Sequence, residues 1–360
     1  MGGPLMHEKS GGIKSMTTST DKATMVPMEV KYVPAWLTWV GCTATCMNAL
    51  GKNYDIVDVA GTTGYAFIMS VHKGLCPSGP TVFDWNLLLQ GIVTLGFSPK
   101  VYMGGECYDK SSKTDRQETQ AIELYKFVGN EITAGRPVVI WGTYVPEFGV
   151  ATGVDDQKYH VKSFRECLNQ EQPPIPYDEL AAPGGFYGLA FPTESGFENN
   201  RFSDLLIITN AVRILKDEAI HKFYGYGLNA YDTWMKLLEA GPDSPDWGEA
   251  TGFGNAYNAQ CWNEAKWCAA EFLKRLAGRN DFASDPLMKA ADEYGKTHSA
   301  TKRIAELFPF SPGPDFGKEI LEEERRKEAV GLLKDAQSHE TEALKLLIVA
   351  RDLDWQEGMT

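Results

Sequence analysis

The chain has 360 residues, of which 43% are hydrophobic and 11% aromatic, and its formal net charge is −13. This composition is too apolar for a disordered protein, and the length suffices for about two domains with cores of their own. The first 200 residues carry a net charge of −6 and the remainder −7, so neither half has the basic surface that nucleic acid or an anionic membrane requires.

The N-terminal segment and the cysteines indicate the compartment. Residues 1–29 are rich in Gly, Ser, Thr and Lys and contain no apolar stretch of signal-peptide length, and no later stretch is long enough to span a membrane. Seven cysteines without a CxxC pair indicate neither a disulfide framework nor a zinc ribbon. We therefore expect a flexible N-terminus at 1–29 and a cytoplasmic protein that binds neither membrane nor nucleic acid.

Helical and strand patterns both occur between residues 30 and 200, which predicts an α+β domain there. Glycines at 41 and 51 bracket a helix of about two turns that starts at Cys42. Runs of β-branched residues and a polar turn between two short strands provide the sheet signal. Further helices are predicted at 84–95 and 118–132, and strands at 136–141, 148–152, 159–163 and 184–191.

After residue 200 the strand signals disappear, and helical spacing predicts an all-α domain over 201–360. In the third of its helices Cys261 and Cys268 belong to one apolar stripe, where we interpret both as packing residues. The predicted helices cover 204–220, 229–240, 255–277, 286–307 and 316–353.

A short sequence echo links 225–231 and 252–257, since each has a Gly-x-Gly followed by Asn and Tyr just before a helical pattern. One interpretation is local, with glycines in a tight turn and Asn capping the helix. In the other, the glycines let a ligand approach the backbone, and Tyr231 and Tyr257 line a pocket. The sequence leaves both open.

Cys42 is the candidate nucleophile. At the first turn of a helix, unpaired N–H groups and the positive end of the helix dipole favour the thiolate and can receive an oxyanion. Cys46 lies one turn further on the same helix face and deeper. The alternative for Cys42 is a purely structural role, which is common for cysteine.

Several segments, taken in order, resemble the papain-like cysteine peptidase superfamily. They are the extended lead-in to Cys42 and residues 62–67, 134–140, 149–156 and 159–161. The chain is most similar to the bacteriocin-processing double-glycine peptidases and to acyltransferases of the butirosin-biosynthesis protein H type, over about residues 30–195. The resemblance implies a papain-like cysteine-proteinase fold over 30–200, and the helical part resembles regions appended to relatives of the butirosin protein.

The resemblance implies a peptidase, amidase or acyltransferase in which Cys42 attacks an amide or thioester carbonyl, assisted by a histidine and an orienting Asp or Asn. The chain departs from this pattern in three places. Glu147 stands where the histidine is expected, Trp36 where an oxyanion-hole glutamine is expected, and Lys162 and Ser163 where the orienting residue would fall.

Glu147 changes the expected electrostatics, because a negative charge beside Cys42 raises the thiol pKa, whereas imidazolium would lower it. Glu147 can act as a base if burial raises its own pKa, or it can bind an amine or amide of a ligand. His160 is the substitute base, although strand alternation directs it away from the face of Tyr159 and Val161. The residues assigned to substrate binding are Trp36, Cys46, Thr63, Tyr65, Tyr231 and Tyr257, with no cofactor and no metal.

Three hypotheses follow. The first is a thiol enzyme that acts on a small-molecule or peptide substrate through Cys42. The second is a non-catalytic protein that keeps the fold and binds a small molecule or peptide in the Cys42/Glu147 cleft, with an amine or peptide held against Glu147. In the third, the helical half is structural or binds a partner, and the chain forms a homo-oligomer.

Overall fold

The computed structural model describes residues 27–105, 114–197, 200–216, 222–311, 313 and 315–357, and it has an α+β architecture. Within those ranges the helices are α1 (Thr38–Ala49), α2 (Ile56–Thr63), α3 (Asn86–Thr94), α4 (Asp115–Thr133), α5 (Arg201–Leu215), α6 (Asn229–Ala240), α7 (Thr251–Arg279), α8 (Ser284–Leu307) and α9 (Glu323–Glu357). The strands are β1 (Ser70–His72), β2 (Phe97–Met103), β3 (Val138–Trp141), β4 (Phe148–Asp155), β5 (Lys158–Lys162), β6 (Ile175–Pro176), β7 (Tyr187–Glu194) and β8 (Tyr224–Tyr226).

Six strands form an antiparallel sheet in the order β2-β7-β3-β4-β5-β6. The neighbouring residues Tyr187 and Gly188 of β7 point to opposite faces, since the Tyr187 hydroxyl accepts a hydrogen bond from Trp39 of α1, while Gly188 faces Leu124 of α4. The sheet therefore lies between α1 and α4. Coverage on both faces explains why all four residues of β3 are buried.

The predicted hairpin over 148–163 is confirmed as β4 and β5. Asp156 and Gln157 connect the strands with φ of 39° and 64°, which is the left-handed pair that a tight two-residue hairpin turn requires. The predicted strands at 136–141 and 184–191 and the predicted helices at 84–95 and 118–132 also match elements of the structure, within a few residues at their ends.

The second half is built mainly from α5 to α9, and α8 packs along both α7 and α9. The stripe that contains Cys261 and Cys268 is buried, as the helical spacing predicts. The prediction of an all-α second half is wrong at β8, which pairs with β1 of the first half. Residues 217–220 of the first predicted helix lie outside the described residues.

The two predicted domains share one hydrophobic core, which runs from Tyr32 to Ala350. Helix α7 packs directly against α2, and Arg275 on α7 forms ion pairs with Asp55 and Asp58 at the start of α2. The boundary near residue 200 thus separates a sheet-containing segment from a mainly helical one, but it does not separate two cores.

The predicted flexible segment 1–29 lies outside the described residues up to residue 26. Its end is ordered, because the Met28 N–H donates a hydrogen bond of 2.9 Å to the Thr152 carbonyl of β4. The described helices include none with both the length and the apolarity needed to cross a membrane.

Candidate functional site

Cys42 is the fifth residue of α1, so the prediction that a helix starts at this cysteine is wrong. The helix begins at Thr38, and the Gly41 N–H already donates to the Leu37 carbonyl. The unpaired N–H groups of a helix belong to its first residues. Cys42 therefore lacks the helix-start environment that was expected to activate its sulfur and to receive an oxyanion.

The Cys42 thiol is enclosed, with 0% of the residue exposed. Burial raises the pKa of this thiol well above its ordinary value; the nearby Tyr32 phenol acts in the opposite direction, and Glu147 raises the pKa further. A thiol with a raised pKa and no exposure is the opposite of a reactive cysteine. In the structure Cys42 lies in the hydrophobic core.

The turn between β3 and β4 fixes the position of Glu147. Its carbonyl oxygen accepts hydrogen bonds from the Gly142 and Thr143 N–H groups, both at 3.0 Å, and its own N–H donates to the Val145 carbonyl at 2.6 Å. Gly142 has φ of 88°, a conformation that glycine adopts without strain. The turn thereby directs the Glu147 side chain towards the start of α1 and towards α7.

Two hydroxyl groups hold the Glu147 carboxylate. Thr38 Oγ1 donates to Oε2 at 2.6 Å, and Tyr257 Oη donates to Oε1 at 2.5 Å. Thr38 Oγ1 in turn accepts the Phe148 N–H at 3.2 Å, which ties α1 to the beginning of β4. Burial raises the pKa of Glu147 to about 7, and the two hydroxyl donors limit this rise.

Glu147 lacks a cationic partner within the part of the chain that the structure describes. No Lys, Arg or His side chain there forms an ion pair with it. A carboxylate in partly enclosed surroundings without a cation is costly in free energy. It is therefore a candidate group for binding a ligand.

One face of α7 closes the site. Tyr257, Cys261 and Glu264 follow at steps of four and three residues, which places them on one side of the helix. Glu264 accepts the Trp36 and Leu37 N–H groups at 3.0 and 2.8 Å, so it supplies acceptors to the chain entering α1. Burial raises its pKa to about 7 as well, against the effect of the two N–H donors.

A group of five aromatic rings, which we call the aromatic ledge, begins at Tyr257. Trp36 and Phe253 expose 37% and 40% of their surface, and the other rings are half-buried. The centroids of Trp36 and Tyr257 are 6.5 Å apart with an interplanar angle of 72°. The members of the ledge are Trp36, Phe253, Tyr257, Phe310 and Phe316.

Tyr231, the counterpart of Tyr257 in the sequence echo, lies in a different polar cluster. Its hydroxyl donates to Glu340 Oε2 at 2.5 Å, while Tyr294 Oη and Lys266 Nζ donate to Oε1 at 3.0 and 2.6 Å. Lys266 and Glu340 are only 0% and 1% exposed at their side chains. Tyr231 therefore belongs to the core of the helical half.

No hydrogen bond among the described residues joins the remaining predicted residues to Glu147. Cys46 is fully buried, and the Thr63 hydroxyl donates to the Val59 carbonyl of its own helix. The Tyr65 hydroxyl donates to the Pro80 carbonyl. His160 Nε2 lies 3.0 Å from Asp155 Oδ2, on the strand face opposite the buried Tyr159 and Val161, as alternation predicts.

The structure thus joins Glu147, Tyr257 and Trp36 by a hydrogen bond and a ring contact, and it places Cys42 where Glu147 raises the pKa of its thiol. Sequence reasoning missed Thr38 and Glu264. A sequence signal for Thr38 exists, since a threonine before an apolar run often marks a helix start. Glu264 has no such signal, because nothing in the sequence distinguishes it from other glutamates in helices. No cluster of three or more His, Cys, Asp or Glu side chains suited to a metal ion occurs among the described residues.

Comparison with known proteins does not name a family for this arrangement: no protein-family model matches the chain, and no curated protein matches it.

Proposed function

We propose that the protein binds a small organic ammonium ion at Glu147 and is not a thiol enzyme. The observation that carries this proposal is a partly enclosed carboxylate held by two hydroxyl donors, with no cationic partner among the described residues. This is the binding function predicted as the alternative from the sequence, in which Glu147 holds a small amine or peptide.

The carboxylate has hydrogen-bonding capacity for a further donor. An ionised carboxylate has about four lone-pair positions, and Thr38 and Tyr257 each use one. An ammonium ion would add a charge-assisted hydrogen bond, which is stronger than one between neutral groups. Its positive charge would also lower the pKa of Glu147, which burial raises. Binding at neutral pH would therefore release a proton from those molecules in which Glu147 is protonated.

Isothermal titration with ethylamine tests the proposal. Wild type should bind it at about pH 8, and its affinity should fall about tenfold per pH unit below about pH 7 as Glu147 becomes protonated. Glu147→Gln should weaken binding by about tenfold or more. The control is Glu171→Gln, which removes an exposed charge in the loop before β6 and should leave the affinity unchanged.

Two results would contradict the proposal. One is an affinity for ethylamine that Glu147→Gln leaves unchanged, because the carboxylate would then not be the recognition group. The other is a wild-type protein that binds no ammonium ion at about pH 8, where Glu147 with a pKa of about 7 is ionised.

The thiol-enzyme hypothesis stays a prediction that labelling can decide, with Cys167 as an exposed control. Iodoacetamide should modify Cys167 in the folded protein and leave Cys42 unmodified until the protein unfolds, because the Cys42 thiol is fully buried and its pKa is raised. Peptide mass spectrometry reports both sites. Faster modification of Cys42 than of Cys167 at neutral pH would support the thiol enzyme and oppose our proposal.

We also infer a papain-like arrangement for the first half. It is supported by the packing of α1 against β3, β4 and β7, and by the contact between the start of α1 and the residue before β4. In this arrangement Thr38, not Cys42, occupies the helix start beside Glu147. A cytoplasmic location belongs to the same proposal, and the described cysteines are all free.

A further inference from the structure

We infer that the ligand is a small arylalkyl amine, whose ammonium group pairs with Glu147 while its aromatic ring lies on the aromatic ledge. This inference rests on the proposed function, and it specifies the part of the ligand that the carboxylate does not recognise. Tyr257 connects the two parts, since its hydroxyl binds Glu147 and its ring belongs to the ledge.

The ledge extends away from the carboxylate along α7. Phe253 lies one helical turn before Tyr257, and the two rings are nearly parallel, with an interplanar angle of 2° and centroids 6.4 Å apart. Phe316 continues the row, with its centroid 5.4 Å from that of Phe253. A ligand anchored at Glu147 and longer than a simple alkylammonium ion would therefore meet aromatic side chains beyond Tyr257.

Phe310 joins the ledge into one surface. Its centroid is 5.2 Å from that of Trp36, 6.0 Å from Tyr257 and 5.6 Å from Phe253, at interplanar angles between 60° and 73°. The contacts of Phe310 with Trp36 and Tyr257 are edge-to-face, a geometry that stabilises pairs of aromatic rings. The ledge is thus preorganised, which reduces the conformational entropy that a ligand must remove on binding.

Exposure distinguishes the ledge from an ordinary core cluster. Trp36 and Phe253 expose 37% and 40% of their surface, whereas core aromatics such as Trp39 and Tyr65 expose 1%. Contiguous apolar surface rimmed by a polar group is typical of a binding site. An aromatic ring on the ledge would cover this surface, and a nearby ammonium charge would gain attraction from the ring faces.

The charge of the site selects an amine over a neutral aromatic ligand. Glu147 is a carboxylate without a cationic partner in the described chain, and the Tyr257 phenol that donates to it also carries a raised pKa from burial. A phenol that donates to a carboxylate makes its ring face more negative, which favours a cation beside it. A ring with a short cationic arm satisfies both features.

Calorimetric titration of ethylamine, phenethylamine and 2-phenylethanol tests the inference, because the first lacks the ring and the last lacks the charge. Phenethylamine should bind wild type about tenfold or more tightly than either. Phe253→Ala should lower the ratio of phenethylamine to ethylamine affinity by about threefold or more. Phe282→Ala, which truncates an exposed phenylalanine elsewhere, should leave the ratio unchanged.

The outcomes separate the inference from the proposed function. If ethylamine binds as tightly as phenethylamine and Glu147→Gln abolishes both, the arylalkyl assignment is wrong and the ammonium site stands. If neither amine binds, both are wrong. If a peptide with a free N-terminal phenylalanine binds more tightly than phenethylamine, the ligand is a peptide and the small-molecule assignment is wrong. Thermal unfolding of Phe253→Ala confirms that any loss comes from a folded protein.

Discussion

The core of the helical half and the junction of α1, β4 and α7 each contain a glutamate held by two hydroxyl groups. Glu340 accepts from Tyr231 and Tyr294 and completes its environment with Lys266 at 2.6 Å. Glu147 accepts from Thr38 and Tyr257, and within the described residues its set of partners contains no ammonium group. The two carboxylates thus differ in one component, and that component is a cation.

The presence or absence of a cation among the described partners indicates a structural role for the Glu340 cluster and a binding role for the Glu147 cluster. Around Glu340 every member comes from this chain, so the charge is neutralised internally and the cluster stabilises one packing of α6, α7, α8 and α9. Around Glu147 no residue that the structure describes supplies a neutralising charge, and aromatic rings with exposed surface lie beside the carboxylate. An ammonium ligand would give Glu147 the environment that Lys266 gives Glu340.

The largest expected effect comes from making Glu340 resemble Glu147. Lys266→Met removes the ammonium group from a fully buried pair and leaves a buried carboxylate that keeps the Tyr231 and Tyr294 hydroxyl donors but has lost its cation. Removing one partner of such a pair costs about 3–5 kcal/mol of unfolding free energy. Urea unfolding followed by circular dichroism measures the loss.

A second substitution controls for packing. Glu340→Gln keeps an acceptor for the tyrosine hydroxyls and removes the charge, so the variant with Lys266→Met and Glu340→Gln should recover part of the stability that Lys266→Met alone loses. If the two losses simply add, Lys266 and Glu340 are not coupled, and the cluster would not serve as a reference for Glu147.

The sequence predicts the fold correctly where the periodicity of its hydrophobic residues is strong. The strands around Val139 and the hairpin turn at Asp156 follow from β-branched runs and turn residues, and helices such as α6 and α8 follow from their apolar stripes. The strand β8 was missed because three residues carry no period, and its formation depends on pairing with β1, which is distant in sequence.

Only part of the candidate site could be predicted from the sequence. Glu147 was identified because it stood where a resemblance demanded a histidine, and Tyr257 because of a short echo. The start of α1 was misplaced, since Gly41 was interpreted as a boundary although it lies inside the helix, where its lack of a side chain lets the Val33 carbonyl approach. The pairing of Glu264 with the Trp36 and Leu37 N–H groups depends on contacts across more than two hundred residues, which local patterns do not contain.

The smaller expected effect comes from removing the charge of Glu147. This substitution removes the free-energy cost of burying a carboxylate without a cation, a cost that an ammonium ligand would also lower. The pKa of Glu147 is raised from its ordinary value to about 7, so between about pH 4.5 and pH 7 the folded state binds more protons than the unfolded state, and this residue makes the protein less stable as pH rises. Glu147→Gln removes that dependence.

The stability of the Glu147→Gln variant relative to wild type should therefore increase from about pH 5 to about pH 8. The increase should be at most about 3 kcal/mol, because a tenfold change in an acid dissociation constant corresponds to about 1.4 kcal/mol. Urea unfolding without ligand at both pH values measures it. A relative stability that is the same at both would show that Glu147 is already neutralised within the chain, and the contrast with Glu340 would disappear.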